Sequence, residues 1–168
     1  MADDFSLPPS AHPVIREAHV YWLSVWPAPD SLPGRQHIDP LSIPRLLPYL
    51  WLLEVHDPPA GESMPRLRYR LLGSHVDLGF GTSKTGRWMH EVEPDFASDP
   101  RLHGGYLAVI REARPNFRKG RPHFSINRGA SLVERIFMPL ASDGRRVDMI
   151  FGCTIFFDAG GSELRSSL

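Results

Sequence analysis

The chain has 168 residues with 19 basic and 19 acidic side chains, and its sequence pI is near 7.1. This length accommodates one well-buried core but not two ordinary domains with a linker, and a hydrophobic content of 42% excludes wholesale disorder. The balanced charge excludes a global field that would collect nucleic acid or an anionic membrane surface.

The termini and the single cysteine indicate where the protein resides. The N-terminal segment lacks the apolar core of a signal peptide, and the longest apolar run, LLPYLWLLEV, is too short to span a bilayer. One cysteine, Cys153, excludes an internal disulfide and suits a reducing compartment. We therefore expect a cytoplasmic protein with one domain at residues 13–158, a flexible N-terminal arm at 1–12 and a flexible tail at 159–168.

The first predicted elements are a helix and a β-hairpin. Apolar residues recur every three or four positions over residues 13–26, which predicts a helix with one apolar face. After a proline-rich connector, the aromatic and apolar run at 49–57 predicts a strand. Residues 66–73, RLRYRLLG, alternate leucine or tyrosine with arginine, which predicts a second strand that pairs with the first and buries one face.

A glycine-rich stretch, LLGSHVDLGFGTSKTGR at residues 71–87, follows the second strand. A Walker A loop requires Lys and Ser or Thr after its last glycine, but Arg87 and Trp88 follow Gly86. A dinucleotide fingerprint fails as well, because Lys84 occupies the place of its third glycine. The stretch is therefore predicted to bend the chain, with short helices, rather than to bind phosphate.

The next predicted elements are a longer helix and a third strand. Asp99 can cap a helix that starts at Pro100 and ends before Pro115. Gly104 and Gly105 lie inside it, and each costs about 1 kcal/mol relative to alanine. Another group is therefore expected to approach them closely. Residues 116–126 predict the third strand.

The last two strands form a predicted hairpin around Asp143-Gly144, a strong signal for a two-residue turn. Counting outward from such a turn places Leu140 opposite Val147, Met138 opposite Met149, and Ile136 opposite Phe151. Both faces of this hairpin are partly apolar. The N-terminal helix or a partner subunit is therefore expected to cover the second face.

Five antiparallel strands with helices after the second define an α+β fold, and the chain resembles the PAS superfamily. More narrowly, it is similar to a short bacterial single-domain PAS-like family that was once catalogued as a domain of unknown function. Three segments carry the resemblance: LPGRQHIDPLSIPRLLPYLWLLEV at 32–55, RLRYRLLGSHVDLGFGTSKTGR at 66–87 and IFMPLASDGRRVDMIFG at 136–152. It implies a PAS-like five-stranded sheet with helices on one face and an extra N-terminal helix.

The resemblance also implies a mostly apolar cavity that holds a small apolar or aromatic molecule. Most candidate lining residues follow from the periodicities, which direct them toward one interior, whereas Arg87 is a candidate anchor for an acidic ligand group. Core packing is the alternative for the apolar ones, and a backbone hydrogen bond is the alternative for Arg87. The candidates are Tyr69, Leu71, Arg87, Trp88, Tyr106, Ile110, Met138 and Met149.

No metal or catalytic motif stands out in the sequence. The eight histidines show no zinc-ligand spacing. Haem-binding PAS domains use a histidine on a helix, and His90 and His103 lie in the corresponding region, although solvated or backbone-bonded histidines are the alternative. Cys153 lacks the motif of a flavin photosensor, and no Ser-His-Asp set or G-x-S-x-G motif is present. The cofactor therefore stays unidentified.

These features favour a non-catalytic sensory or regulatory PAS-like module that binds a small molecule, a protein partner or both, with its output in trans. One alternative is a structural dimerisation module with a filled interior, which would dimerise through the N-terminal helix with Trp22 and Trp26. The other is a small-molecule enzyme on a related α+β fold. That enzyme would require histidine, arginine and carboxylate groups to converge in a pocket.

Overall fold

The computed structural model describes residues 5–124 and 126–166 and shows an α+β fold with an open, five-stranded antiparallel sheet. In chain order the elements are α1 (Pro13–Ser24), β1 (Leu50–His56), β2 (Arg66–Leu72), α2 (Ser74–Phe80), α3 (Met89–Val92), α4 (Pro100–Glu112), β3 (Asn116–Gly120), β4 (Leu132–Leu140) and β5 (Met149–Phe157). Three short 3-10 turns, the last at Leu47–Tyr49, precede the first strand. The sheet order is β2-β1-β5-β4-β3.

The caps of the two long helices come from neighbouring side chains. The His12 side chain accepts a hydrogen bond from Val14 N at 3.2 Å, and Asp99 accepts one from Arg101 N at 2.9 Å. A proline occupies the first turn of each helix, where a missing N–H costs nothing. Helix α4 ends at Ala113, which adopts a left-handed φ of 53°. The predicted start of α4 at Pro100 is confirmed.

Helix α1 covers one face of the sheet, as the sequence suggested. Trp22 is buried there and donates a hydrogen bond from its indole N–H to Pro139 O at 3.0 Å. Met138 and Phe151 belong to the same apolar cluster beneath the helix. Because Trp22 is buried within one chain, the proposed dimerisation surface cannot include its side chain.

The other face packs against α2, α3 and α4 through a core rich in aromatic rings. Tyr106 stacks on Phe137 with ring centroids 4.5 Å apart, and Trp51 meets Phe137 edge-on at 5.0 Å. Leu53 of β1 and Ile150 of β5 belong to the same buried cluster. Ring geometries of this kind stabilise a core beyond the area that they bury.

The predicted register of the β4–β5 hairpin is wrong by two residues. Met138 lies opposite Phe151 rather than Met149, Leu140 opposite Met149 rather than Val147, and Ile136 opposite Cys153 rather than Phe151. The cause is the turn. Asp143 does not take part in a two-residue turn but accepts hydrogen bonds from Arg145 N and Arg146 N at 2.8 Å each, within a longer loop. An even shift leaves every side chain on its predicted face.

The two glycines inside α4 have different surroundings. A Cβ on Gly105 would lie 2.5 Å from Nη2 of Arg135, whereas a Cβ on Gly104 would meet nothing within 4 Å. Arg135 is buried, stacks over the Phe137 ring at 3.6 Å and donates to Asn116 Oδ1 at 2.9 Å. The predicted close approach is therefore confirmed at Gly105 and wrong at Gly104.

Strand β3 is shorter than predicted and ends at Gly120. Two residues later comes Pro122, which has no N–H to donate to a ladder. The chain then turns toward α2, where Asn127 N donates to Gly79 O at 2.8 Å. The second half of the predicted strand therefore connects β3 to β4 over the end of α2.

The predicted arm at 1–12 and tail at 159–168 lie partly outside the described residues. Their described parts pack on the domain: Ala11 is buried, Phe5 packs against the core under α1, and Leu164 is buried beside Phe156. Leu164 N also donates to Phe156 O at 2.8 Å. The folded unit therefore extends beyond the predicted limits of 13 and 158.

Candidate functional site

The predicted pocket residues do not converge on one interior. Tyr69 and Tyr106 lie in the aromatic core on the α2–α4 side, whereas Met138 and Met149 belong to the cluster under α1 on the opposite face. The prediction of a common interior is therefore wrong for the two methionines, because Met138 alternates with Phe137 along β4. Ile110 touches both clusters from the end of α4.

The other predicted residues lie at the edge of the sheet. A β-bulge between Leu52 and Leu53 adds a residue to β2, so Leu71 leaves the buried face and is 49% exposed. Arg87 is exposed, and its carbonyl oxygen accepts from Tyr69 N at 3.0 Å. Trp88 is half-buried under the Arg68 guanidinium. Arg87 and Trp88 thus cover the edge of β2.

The interior between the sheet and α2–α4 is filled. A depression of about 110 Å³ beside Met89 and Phe96 is well below the size of ordinary ligand sites. Deeper in, buried Lys84 pairs with Glu93 at 3.1 Å and ties the glycine-rich loop to the end of α3. Burial raises the pKa of Tyr106 to about 12, which keeps this phenol protonated. This core suits packing rather than a ligand.

A cleft of about 680 Å³ lies outside the core, between the Leu47–Tyr49 turn, α2 and the C-terminal segment of residues 159–166. We call it the tail-side cleft. Its wall combines apolar surface from Pro48, Leu78 and Leu164 with polar groups. The polar residues on its wall are Tyr49, Ser74, His75, Asp77, Thr82, Ser83, Asn127, Glu163, Arg165 and Ser166.

Helix α2 reaches this position because Gly73 has no side chain. A Cβ on Gly73 would lie 2.3 Å from both Leu47 O and Pro48 O. The close approach places His75 at the end of the β1–β5 pairing, which stops at Cys153. Beyond that point the Phe156 N–H has no β1 partner, and it donates to His75 Nε2 at 2.9 Å. An accepting Nε2 places the ring proton on Nδ1.

Glu163 connects the C-terminal segment to the floor of the cleft. Its Oε1 accepts a hydrogen bond from the Tyr49 hydroxyl at 2.5 Å and lies 3.7 Å from His75 Nδ1. Burial, together with the Glu163 carboxylate, raises the pKa of Tyr49 to about 12. Burial lowers the pKa of His75, and Glu163 opposes that shift. At neutral pH the cleft therefore holds a protonated phenol and a neutral imidazole beside the Glu163 side chain.

Asp77 contributes a second carboxyl group from α2. Its Oδ1 atom is buried and has no hydrogen-bond partner among the described residues. Burial raises the pKa of Asp77, and a hydrogen bond from Ser83 opposes the shift. The cleft therefore offers hydrogen-bond acceptors beside apolar surface, which is the usual composition of a small-molecule site.

His75 is not free to act as a base in the cleft. The only lone pair of the neutral His75 ring is engaged by the Phe156 N–H, so the ring cannot act as a base without breaking that bond. Ser83 Oγ contacts Thr85 Oγ1 at 3.4 Å rather than a histidine. Among the residues that the structure describes, no group of three His, Cys, Asp or Glu side chains could hold a metal ion.

The remaining histidine candidates lie apart from the cleft. His90 is exposed next to Trp88, and His103 contacts Phe96 edge-on from α4. Comparisons of the chain with protein-family models, curated proteins and solved structures found no match. In the described part of the chain, no helix combines the length and apolar character needed to cross a bilayer. The fold and the cleft are therefore the basis for a functional proposal.

Sequence reasoning missed the residues of the tail-side cleft. Tyr49 falls within a predicted strand, His75 within the glycine-rich stretch and Glu163 within the predicted tail. Tyr49 and His75 are 26 positions apart in the sequence, and His75 and Glu163 are 88 positions apart. No motif spacing joins the three residues. Only the docking of the C-terminal segment on Phe156 brings Glu163 to the other two.

Proposed function

We propose that the protein is a PAS-like, non-catalytic regulatory module that binds a small molecule in the tail-side cleft and acts on a protein partner. The five antiparallel strands, the helices after the second strand and the resemblance of three separated segments support the PAS-like part. The cleft is the physical support for binding.

The observation that carries the proposal is the position of Glu163. The Glu163 carboxylate forms part of the wall that a bound molecule would touch and also holds the C-terminal segment to Tyr49. A ligand that interacts with Glu163 therefore changes the free energy of docking this segment. Differential binding to two arrangements of one segment is sufficient to shift their populations. The surface recognised by the partner would change with it.

Native mass spectrometry tests the binding step directly. The intact protein is incubated with the small-molecule fraction of a bacterial cell extract and desalted, and its native mass is then measured. We expect an added mass on the natural protein that is lost in Thr82→Trp, because an indole on this exposed wall residue fills the cleft. Thr85→Trp is the matched control in the same loop, since Thr85 is exposed and lies outside the cleft wall. No adduct on the natural protein, or an adduct that Thr82→Trp retains, contradicts the proposal.

A catalytic function is the second candidate, because His75, Glu163 and Arg165 converge on one cleft. It requires His75 to release the Phe156 N–H during a reaction cycle. The same incubation distinguishes it from binding. If the protein only binds, denaturation releases the small molecule with the mass it had before binding. If the protein is an enzyme, a product of different mass is released.

Homodimerisation through the N-terminal helix stays a separate proposal. With Trp22 buried, it would rest on the outer face of α1, where Val20 is 64% exposed and Leu23 is also exposed. Size-exclusion chromatography of Val20→Glu tests it. An elution volume equal to that of the natural protein would remove this surface from consideration.

A further inference from the structure

A second groove lies near the C-terminal end of β1. It is bounded by the β1–β2 connection, the end of α4 and the β4–β5 loop. Its volume is about 350 Å³. The apolar floor comes from Val55, Leu107, Ile110 and Val147. Three arginines line it, Arg111 from α4 and Arg145 and Arg146 from the loop. We call this the basic groove, and it shares no lining residue with the tail-side cleft.

The loop that presents two of these arginines is held in place by its own hydrogen bonds. Asp143 accepts from Arg145 N and Arg146 N at 2.8 Å each, and Gly144 O accepts from Leu32 N at 2.9 Å. Gly144 itself takes a positive φ of 78°, which a side chain would disfavour. The backbone that carries Arg145 and Arg146 is therefore fixed before any ligand arrives.

The wall of the groove carries more basic than acidic side chains. Asp57 is the one carboxylate on its wall, and it pairs with Arg146. Within the described residues, Arg111 makes no ion pair or side-chain hydrogen bond, and Arg145 interacts electrostatically with Asp143 without a close ion pair. Arginine presents a planar set of N–H donors that matches carboxylate and phosphate oxygens. Two such side chains above an apolar floor have the composition of a site for an amphiphilic anion.

We propose that the basic groove binds a small organic anion, with its carboxylate or phosphate group between Arg111 and Arg145 and a compact apolar body on Ile110 and Val147. The volume of about 350 Å³ matches one ring or a short branched chain rather than a long lipid. The two neighbouring depressions along the loop, which share Arg145 or Arg146 with this groove, carry as many acidic as basic residues or more and are less favourable to an anion.

Benzoate and benzamide are the probes that test this inference, because they share a ring and differ in charge. Titrations of the intact protein are followed by ¹H–¹⁵N spectra, with the Ile110 and Val147 amides as reporters. Benzoate should shift both with a dissociation constant on the order of 1 mM, as expected for a fragment, and benzamide should bind at least about tenfold more weakly. Phenyl phosphate, titrated in parallel, shows whether the site prefers phosphate or carboxylate.

Arginine variants supply the second arm of the test. Arg111→Gln and Arg145→Gln should each weaken benzoate binding by about tenfold, the effect of removing one charge-assisted interaction. Arg45→Gln is the matched control, an exposed arginine away from the groove. Equal binding of benzoate and benzamide, shifts centred on the tail-side cleft, or equal weakening by Arg45→Gln would each overturn the inference. Arg45, Arg111 and Arg145 are all exposed, so we expect none of the three replacements to destabilise the fold.

Discussion

Replacement of Leu164 by alanine should release the C-terminal segment while the sheet stays folded. The Leu164 side chain is 8% exposed and packs with Ala130, Val133 and Phe156. Truncation of a buried leucine costs about 2–5 kcal/mol, and the lower value applies at the edge of the domain, where the site can collapse. A loss of about 2 kcal/mol raises the population of the undocked segment roughly 30-fold.

Native-state hydrogen exchange measures this release residue by residue. In the natural protein the Leu164 amide, which donates to Phe156 O, should have a smaller opening free energy than the amide of Phe151 in the centre of the sheet, and in Leu164→Ala the amide of residue 164 should exchange roughly 30-fold faster. Leu41→Ala is the matched control, because Leu41 is 89% exposed, and no amide should change. Equal opening free energies at residues 164 and 151 in the natural protein would refute the reasoning, since they would show that the segment and the sheet open together.

Two further predictions follow from α4 and from His75. Gly104→Ala should stabilise the protein by about 0.5–1 kcal/mol, because alanine has the higher helix propensity. Gly105→Ala should destabilise it by about 1–3 kcal/mol, because the new Cβ would meet Arg135. Urea denaturation measures both changes, and the same sign for both would contradict this prediction. Burial lowers the pKa of His75, so the unfolded chain binds the proton more tightly than the folded one, and stability should fall as the pH drops below 6.5. His75→Gln keeps an acceptor for Phe156 N–H without the titration and should flatten that part of the curve; an unchanged pH dependence would remove His75 as its source.

The elements that the sequence predicts well are those with one strongly periodic face. Ile15, Ala18 and Trp22 repeat at helical spacing and are all buried in α1, which ends only two residues before its predicted limit. The predicted start of α4 was also correct, because the capping Asp99 and the following Pro100 are a local signal in the sequence. The order of helices and strands follows from such local patterns.

The parts that the sequence could not predict depend on single side chains acting over long distances. The bulge opposite Leu52 and Leu53 turns Leu71 out of the core, although the alternation through Tyr69 continues in the sequence. The capping by Asp143 lengthens the β4–β5 loop and moves the register by two residues. Neither event changes the hydrophobic pattern on which the register prediction rested.

The tail-side cleft could not be predicted for a related reason. Glu163 follows two glycines and a serine, a composition typical of a mobile tail. It reaches Tyr49 only because Phe156, which is beyond the end of the β1 pairing, leaves its carbonyl available to Leu164 N. A free strand edge is a property of the assembled sheet, and no local pattern reports it.

Hydrogen exchange at the Leu164 amide, with and without the small-molecule fraction of a bacterial extract, tests most directly whether binding in the cleft is coupled to the C-terminal segment. A ligand that touches Glu163 adds free energy to the docked state, and at a hundred times its dissociation constant it should slow exchange at Leu164 by roughly 100-fold. Thr82→Trp should abolish the slowing. An adduct that forms while the exchange rate at Leu164 stays unchanged would contradict the account.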